Sequence, residues 1–209
     1  SAGAVEVRVT PALLLVPPSL GVKSARDLIA MAKAKPGELN YASAGVGSAM
    51  HFAGEMFSSM AGIRTVHIPL KGPPEALTET MTGRVQFVVS PIGAALNLVR
   101  EGKLSAIGVA GNERISQLPD VPTISESGLP GYQTSNWSGF LAPARTPRPI
   151  IDRLNAELRK ILATPEVKAS WAAIGAVPAP TSPAEFDKFI AEEIDTFVKI
   201  GRTANIKAD

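Results

Sequence analysis

Apolar and polar residues alternate at the start of the chain. Val5, Val7 and Val9 are interleaved with Glu6, Arg8 and Thr10, the period of a half-buried strand. Leu13, Leu14, Leu15 and Val16 follow as an unbroken apolar run, read as a buried strand that Pro17-Pro18 stops. The period then lengthens. Ser24 is placed to cap a helix with Ala25, Leu28, Ile29 and Ala32 on its apolar face, ending before Pro36-Gly37. A short strand over 39–42 enters the turn Ser43-Ala44-Gly45-Val46-Gly47-Ser48. From Ala49 onward, Phe52, Ala53, Met56, Phe57 and Met60 recur at helical spacing and predict a helix to about residue 61.

The alternation continues. Residues 63–68 read as a strand, and a helix runs from Pro74, well tolerated at a first helical position, to about Gly83. A strand over 85–89, a helix from Ser90-Pro91 to Arg100 and a strand over 104–109 complete this half. Residues 114–131 are rich in Pro, Gly, Ser and Asp and read as an extended connection with one helical turn. Residues 132–142 are again strand-like. Two longer helices close the chain. One carries Ile151, Leu154, Leu158, Ile161 and Leu162 and stops before Pro165. The other opens on the capping box Ser182-Pro183-Ala184-Glu185 and carries Phe186, Phe189, Ile190, Ile194, Phe197 and Val198.

Strand and helix in turn, joined by short loops, predict an α/β fold with a doubly wound, mainly parallel sheet covered on both faces. Ligands of such sheets bind beyond the carboxyl ends of the strands. Three strand-to-helix loops, 43–48, 70–74 and Ser90-Pro91, are expected along that one edge.

The first of these loops carries the most chemistry. Gly45 and Gly47 allow a tight turn and close backbone approach, and Ser48 stands at the N-cap position of the helix. A helix start has unpaired N–H donors and partial positive charge, so a small anion is its natural guest. The plainer reading is that these residues only make the turn. No Gly-Lys-Ser/Thr follows, so this is not a nucleotide-binding P-loop.

Composition removes other classes. The formal charge is +2 with basic and acidic residues interspersed, and aromatic residues are 5%, which speaks against a nucleic-acid surface or a base-stacking platform. Cysteine is absent, so disulfides, thiolate catalysis and thiolate metal sites are excluded. His51 and His67 do not form a metal-spaced pair, and no metal or cofactor is expected. His51, near a helix start, reads as a neutral structural residue; His67, at a strand end, reads as packed and hydrogen-bonded. Glu55 and Glu75 read as solvated or capping. Ser43, Ser48 and Ser90 lack a nucleophile elbow and an assignable base, so they read as hydroxyl donors rather than nucleophiles. The longest apolar run, 12–16, is far too short to span a bilayer, and residues 1–10 lack the form of a signal peptide.

Taken together, several stretches resemble the Bug-type (TctC-like) solute receptors of tripartite tricarboxylate transporters. They are residues 39–48 with His51-Phe52-Ala53-Gly54-Glu55, Val66-His67-Ile68-Pro69-Leu70-Lys71-Gly72, and Leu118-Pro119-Asp120-Val121-Pro122-Thr123. Gly128-Leu129-Pro130-Gly131, Trp137, Leu141-Ala142-Pro143-Ala144 and Thr146-Pro147 fit the same pattern. The resemblance implies a two-lobed, hinge-closing periplasmic binding protein without enzymatic activity. It would hold a small organic acid or amino acid and pass it to the membrane permease subunits of the transporter. The ligand contacts it implies are Ser43, Ala44, Gly45, Gly47 and Ser48 in the first loop, Lys71 and Gly72 in the second, and Ser90 in the third. Lys71 has an equally plain reading as an exposed loop lysine.

Two departures stand out. Leu70 occupies a place where the family commonly has an aromatic residue, and no Pro-Pro-Gly-Gly loop of the first lobe is present. The expected organisation is therefore a second lobe with its crossover strand over 1–135 and a segment over 136–209 returning to an incomplete first lobe. That returning segment is expected to lack sheet partners unless another chain supplies them, as in a dimer. The same fold also serves as the effector-binding domain of transcription regulators, which stands as the alternative, and a hydrolase using a loop serine is a third reading.

Overall fold

A computed structural model describes residues 2–134 and 136–203, with residues 2–8 through their backbone alone. Strand β1 (Ala2–Thr10) is followed by β2 (Ala12–Val16), a short 3₁₀ turn (Pro18–Leu20) and α1 (Ala25–Ala34). Then come β3 (Asn40–Ser43), α2 (Ala49–Ala61), β4 (Val66–Pro69), α3 (Pro73–Met81), β5 (Phe87–Pro91), α4 (Ile92–Arg100) and β6 (Ser105–Val109). The remainder is α5 (Ile124–Ser127), β7 (Asn136–Ala142), α6 (Arg148–Leu162), α7 (Pro165–Ala173), β8 (Val177–Pro178) and α8 (Pro183–Thr203). The described residues fall into two compact units, one over 2–10 and 136–198, the other over 11–134 and 199–203.

The larger unit is built on a five-stranded sheet in the order β4-β3-β5-β2-β6. β3 pairs in parallel with β4 and β5, whereas β2 is antiparallel to both β5 and β6. The sheet is thus mainly parallel, as expected, with β2 as the one reversed strand. The reversal brings the start of β2 to the edge where β5 ends, with Leu13 opposite Ser90. Strand periodicity sorts the side chains onto two faces. Leu14, Val16, Tyr41, Phe87 and Val89 pack with Leu28 of α1, Phe57 of α2, Ile124 and Tyr132. Leu13, Leu15, Ala42 and Val88 pack with Leu77 of α3 and Ile92 and Leu96 of α4. Both faces of the sheet are covered.

Local signals act where the sequence places them. The Ser24 hydroxyl accepts from Asp27 N–H at the start of α1, and the Ser48 hydroxyl accepts from His51 N–H at the start of α2. Gly62 ends α2 in a left-handed conformation, φ 62°, and this cap delays β4 until Val66 rather than residue 63. The helical turn within 114–131 is α5, closed by a capping box between Thr123 and Glu126.

The smaller unit corrects one expectation and adds a helix to another. β7 does have a partner within this chain: it pairs antiparallel with β1 along its length, and β1 also pairs with β8. The first of the two closing helices stops before Pro165, as expected, α6 ending at Leu162; Pro165 then opens a further short helix, α7, where a missing N–H costs nothing, and the Thr164 hydroxyl caps it by accepting from Val167 N–H. Trp137 of β7 meets Phe186 and Phe189 of α8 edge-on at 5.6 and 5.3 Å, and its indole N–H donates to Glu193 at 3.0 Å.

Candidate functional site

β3, β4 and β5 end side by side, and each feeds a helix, so the loops 43–48 and 70–72 and the Ser90-Pro91 junction share one edge. The first two loops touch. Leu70 N–H donates to the Ser43 carbonyl at 3.1 Å, and a side chain at Gly45 (φ 118°) would meet the Leu70 carbonyl at 3.5 Å.

The loop 43–48 is shaped by side chains beneath it. The Ser43 hydroxyl is wholly buried; it accepts from Gly45 N–H at 3.1 Å, lies 3.0 Å from the Gly45 carbonyl and sits 2.6 Å from His67 Nε2. Gly47 N–H donates to His51 Nδ1 at 3.0 Å, and Ser48 N–H donates to the Gly45 carbonyl at 3.2 Å. His51 and His67 lie face to face, ring centroids 3.7 Å apart and planes within 7°. Tyr41 stacks on His67 at 5.0 Å and donates its phenol to the Glu55 carboxylate, whose oxygen is 3.9 Å from His51 Nε2. Glu55 is therefore a working member of this network and not a solvated residue.

Burial sets the protonation states. It holds His51 below the ordinary imidazole range against the opposing pull of Glu55. Burial, helped by the neighbouring His51, pushes His67 down to about 4. Burial first, then the bond to Glu55, raises the Tyr41 phenol well above its ordinary value. The pair is neutral at pH 7, in keeping with the reading of both histidines as packed and structural.

The other predicted residues fall into place differently. Ala44 packs against the α3–α4 side of the sheet, and no hydrogen bond among the described residues engages its amide or that of Val46. Gly72 is the N-cap of α3, but Pro73 and Pro74 occupy the next two positions and carry no N–H. Glu75 reaches back to accept from Lys71 N–H at 2.9 Å, the capping role expected of it, so a carboxylate already serves this helix start. The Lys71 side chain is exposed and forms no ion pair among the described residues. Ser90 is fully buried on the face shared with Val88, and its hydroxyl has no hydrogen-bond partner among the described residues. Ser43 and Ser90 thus face opposite sides of the sheet.

A serine 2.6 Å from an imidazole suggests a nucleophile and its base, an arrangement that sequence alone could not assign. Ser43 is 0% exposed and its hydroxyl is enclosed by its own turn, so no substrate atom can reach it. Among the described residues there is also no cluster of His, Asp and Glu that could hold a metal ion.

What the edge offers is backbone N–H groups at a glycine turn and a helix start, the equipment of a protein that binds small anions. Residues 3–206 match the model of the tripartite tricarboxylate transporter family receptor, TctC, and the chain belongs to that family. It is 33% identical over 197 residues to Protein BugT of Bordetella pertussis, covering 94% of this chain and 60% of that protein. It is 32% identical over 191 residues to the UPF0065 protein in the tcbD-tcbE intergenic region of Pseudomonas sp. strain P51, covering 91% of this chain and 57% of the relative. Among solved structures, it resembles Rpa4515 of R. palustris with adipate (TM-score 0.87, 32% identity, 98% of this chain and 69% of that one). It also resembles MatC of Rhodopseudomonas palustris with bound malate (TM-score 0.83, 29% identity, 95% of this chain and 69% of that one). The chain thus spans 57% and 60% of the length of these two curated relatives.

Proposed function

We propose that this chain forms the carboxylate-binding portion of a periplasmic solute receptor that serves a tripartite tricarboxylate transporter, acting by binding alone. The observation that supports it is the loop 43–48. Its glycine turn leads into a 13-residue helix whose His51 N–H is capped by Ser48, while the amides of Ala44, Val46, Ala49 and Met50 have no hydrogen-bond partner among the described residues. Each charged hydrogen bond to a carboxylate contributes about 1.5–3 kcal/mol, so a few such donors suffice for useful affinity. We assign the binding loop to residues 43–48, with the Ala44 amide and Ser48 facing the ligand and Ser43, Gly45 and Gly47 shaping the turn beneath it, and with Lys71, Gly72 and Ser90 along the same edge. The first loop carries most of the binding, because two prolines and Glu75 blunt the start of α3. The unpaired Ser90 hydroxyl gains a partner when an acceptor arrives.

Two relatives solved with dicarboxylates, adipate and malate, make that class the first to test. The permease subunits of the transporter are the partners this role requires. Calorimetry with adipate, malate, succinate and citrate is the direct assay. Saturable binding of at least one acid at about micromolar affinity is expected; no binding by any of them contradicts the proposal.

A further inference from the structure

Two amides of the loop 43–48 are turned inward, and a histidine lies behind each. Gly47 N–H is held by His51 Nδ1 at 3.0 Å. Gly45 N–H is held by the Ser43 hydroxyl at 3.1 Å, and that hydroxyl is held in turn by His67 Nε2 at 2.6 Å. The rings come from different elements, His51 from α2 and His67 from β4, and stack at 3.7 Å. We propose that this imidazole pair is the positioning element of the carboxylate loop: it fixes the glycine amides from below, and its hold on Gly47 lasts only while His51 is neutral. The inference rests on the function proposed above and adds a regulation to it.

At His51 the hydrogen-bond chemistry requires neutrality. A ring nitrogen that accepts from Gly47 N–H bears no proton, so His51 carries its single proton on Nε2, toward Glu55. Protonating Nδ1 sets an N–H against an N–H and breaks the contact. Ser43 has one proton to give. If it goes to the Gly45 carbonyl, His67 Nε2 donates to the hydroxyl; if it goes to His67, that nitrogen accepts. A cation on either ring also lies within stacking distance of the other, so the second protonation is opposed by the first. The groups facing the pair are Tyr41 from β3, Glu55 and Phe52 from α2, and each imidazole to the other. Of these, Glu55 favours the cation on His51, while burial disfavours it.

The pair therefore couples acidity to the shape of the loop. Neutral rings hold Gly45 and Gly47 inward and leave the amides of Ala44 and Val46 for a ligand. Acidification frees the Gly47 amide and loosens the loop, and a carboxylate bound above is released as pH falls.

The test follows backbone amides and imidazole nitrogens of the ligand-free 209-residue chain by ¹⁵N NMR and hydrogen exchange from pH 8 to 4. The Gly47 amide is expected to lose its protection in step with the His51 ring titration, by about tenfold or more. His51→Phe keeps a ring in the stack and removes the acceptor, so Gly47 loses protection at every pH. His51→Asn restores an acceptor that cannot titrate in this range, so protection returns without pH dependence. Unchanged Gly47 exchange through the imidazole titration, or in His51→Phe with the Phe57 amide still protected, overturns the inference. If His51→Phe does not fold, the wild-type titration and His51→Asn decide alone. Adipate binding at pH 7.5 is measured in parallel: affinity unaltered in His51→Phe overturns the positioning role. Failure of the wild type to bind adipate counts against the proposed function and leaves the amide result to judge the histidines.

Discussion

Tyr41 concentrates much of the chemistry of the larger unit in one side chain. Its ring stacks between His67 and Phe87, and its phenol reaches Glu55 across the face of α2. That approach is possible because residue 54 is glycine: a Cβ there would lie 2.3–2.4 Å from the Tyr41 ring. Gly54→Ala is therefore expected to destabilise the fold by about 1–3 kcal/mol, read as a lower urea midpoint. Tyr41→Phe leaves the Glu55 carboxylate without its donor and is expected to cost about 1–3 kcal/mol in the same assay. His67 makes stability depend on pH. An unfolded imidazole titrates near about 6.5, whereas folded His67 stays neutral down to about 4. Within that window the unfolded chain binds more protons, so stability is complete above it and falls as pH drops through it. A loss of about 1–2 kcal/mol between pH 6.5 and 4 is expected after discounting for the ring's partial exposure. His67→Gln should flatten that portion of the urea-stability profile.

Elements show what periodicity and capping residues can report, and what they cannot. The caps of α1 and α2 are local, set by Ser24 and Ser48 three residues before their partners, so the sequence displays them directly. Ser48→Ala is expected to cost about 1 kcal/mol in thermal stability while leaving the fold intact. Pro165 shows the opposite case. The same residue ends one helix or begins the next, and what decides is the Thr164 cap, a short-range contact masked by the preceding apolar run. Strand direction has no local signature at all. β2 reads as a buried strand whichever way it runs, and only its pairing with β5 and β6 shows the reversal. Contacts between distant elements are equally silent in sequence. Gly128 lets α5 close on α1: a Cβ would fall 2.6 Å from the Arg26 backbone nitrogen, and φ is 147°. Gly128→Ala should weaken that contact by at least about 1–3 kcal/mol, visible as faster hydrogen exchange in α1.

At the scale of the whole molecule, the sheet edge was readable because strand–loop–helix order places the loops that follow parallel strands, here β3, β4 and β5, at the same end. The loop 43–48 was readable from its glycines and its cap. The layer beneath it was not. His51 and His67 stand sixteen positions apart on different elements, and only the pairing of Ser43 with Pro69 brings β4 close enough to stack the rings. Glu55 gained its role the same way, through Tyr41. The account's central claim is that a carboxylate binds at this edge, and amide chemical shifts on addition of adipate test it most directly. Saturable shifts largest in residues 43–50, with smaller ones at 71–72 and 90–92, are expected. Saturation without shifts in 43–50, or shifts confined to 136–198, contradicts it.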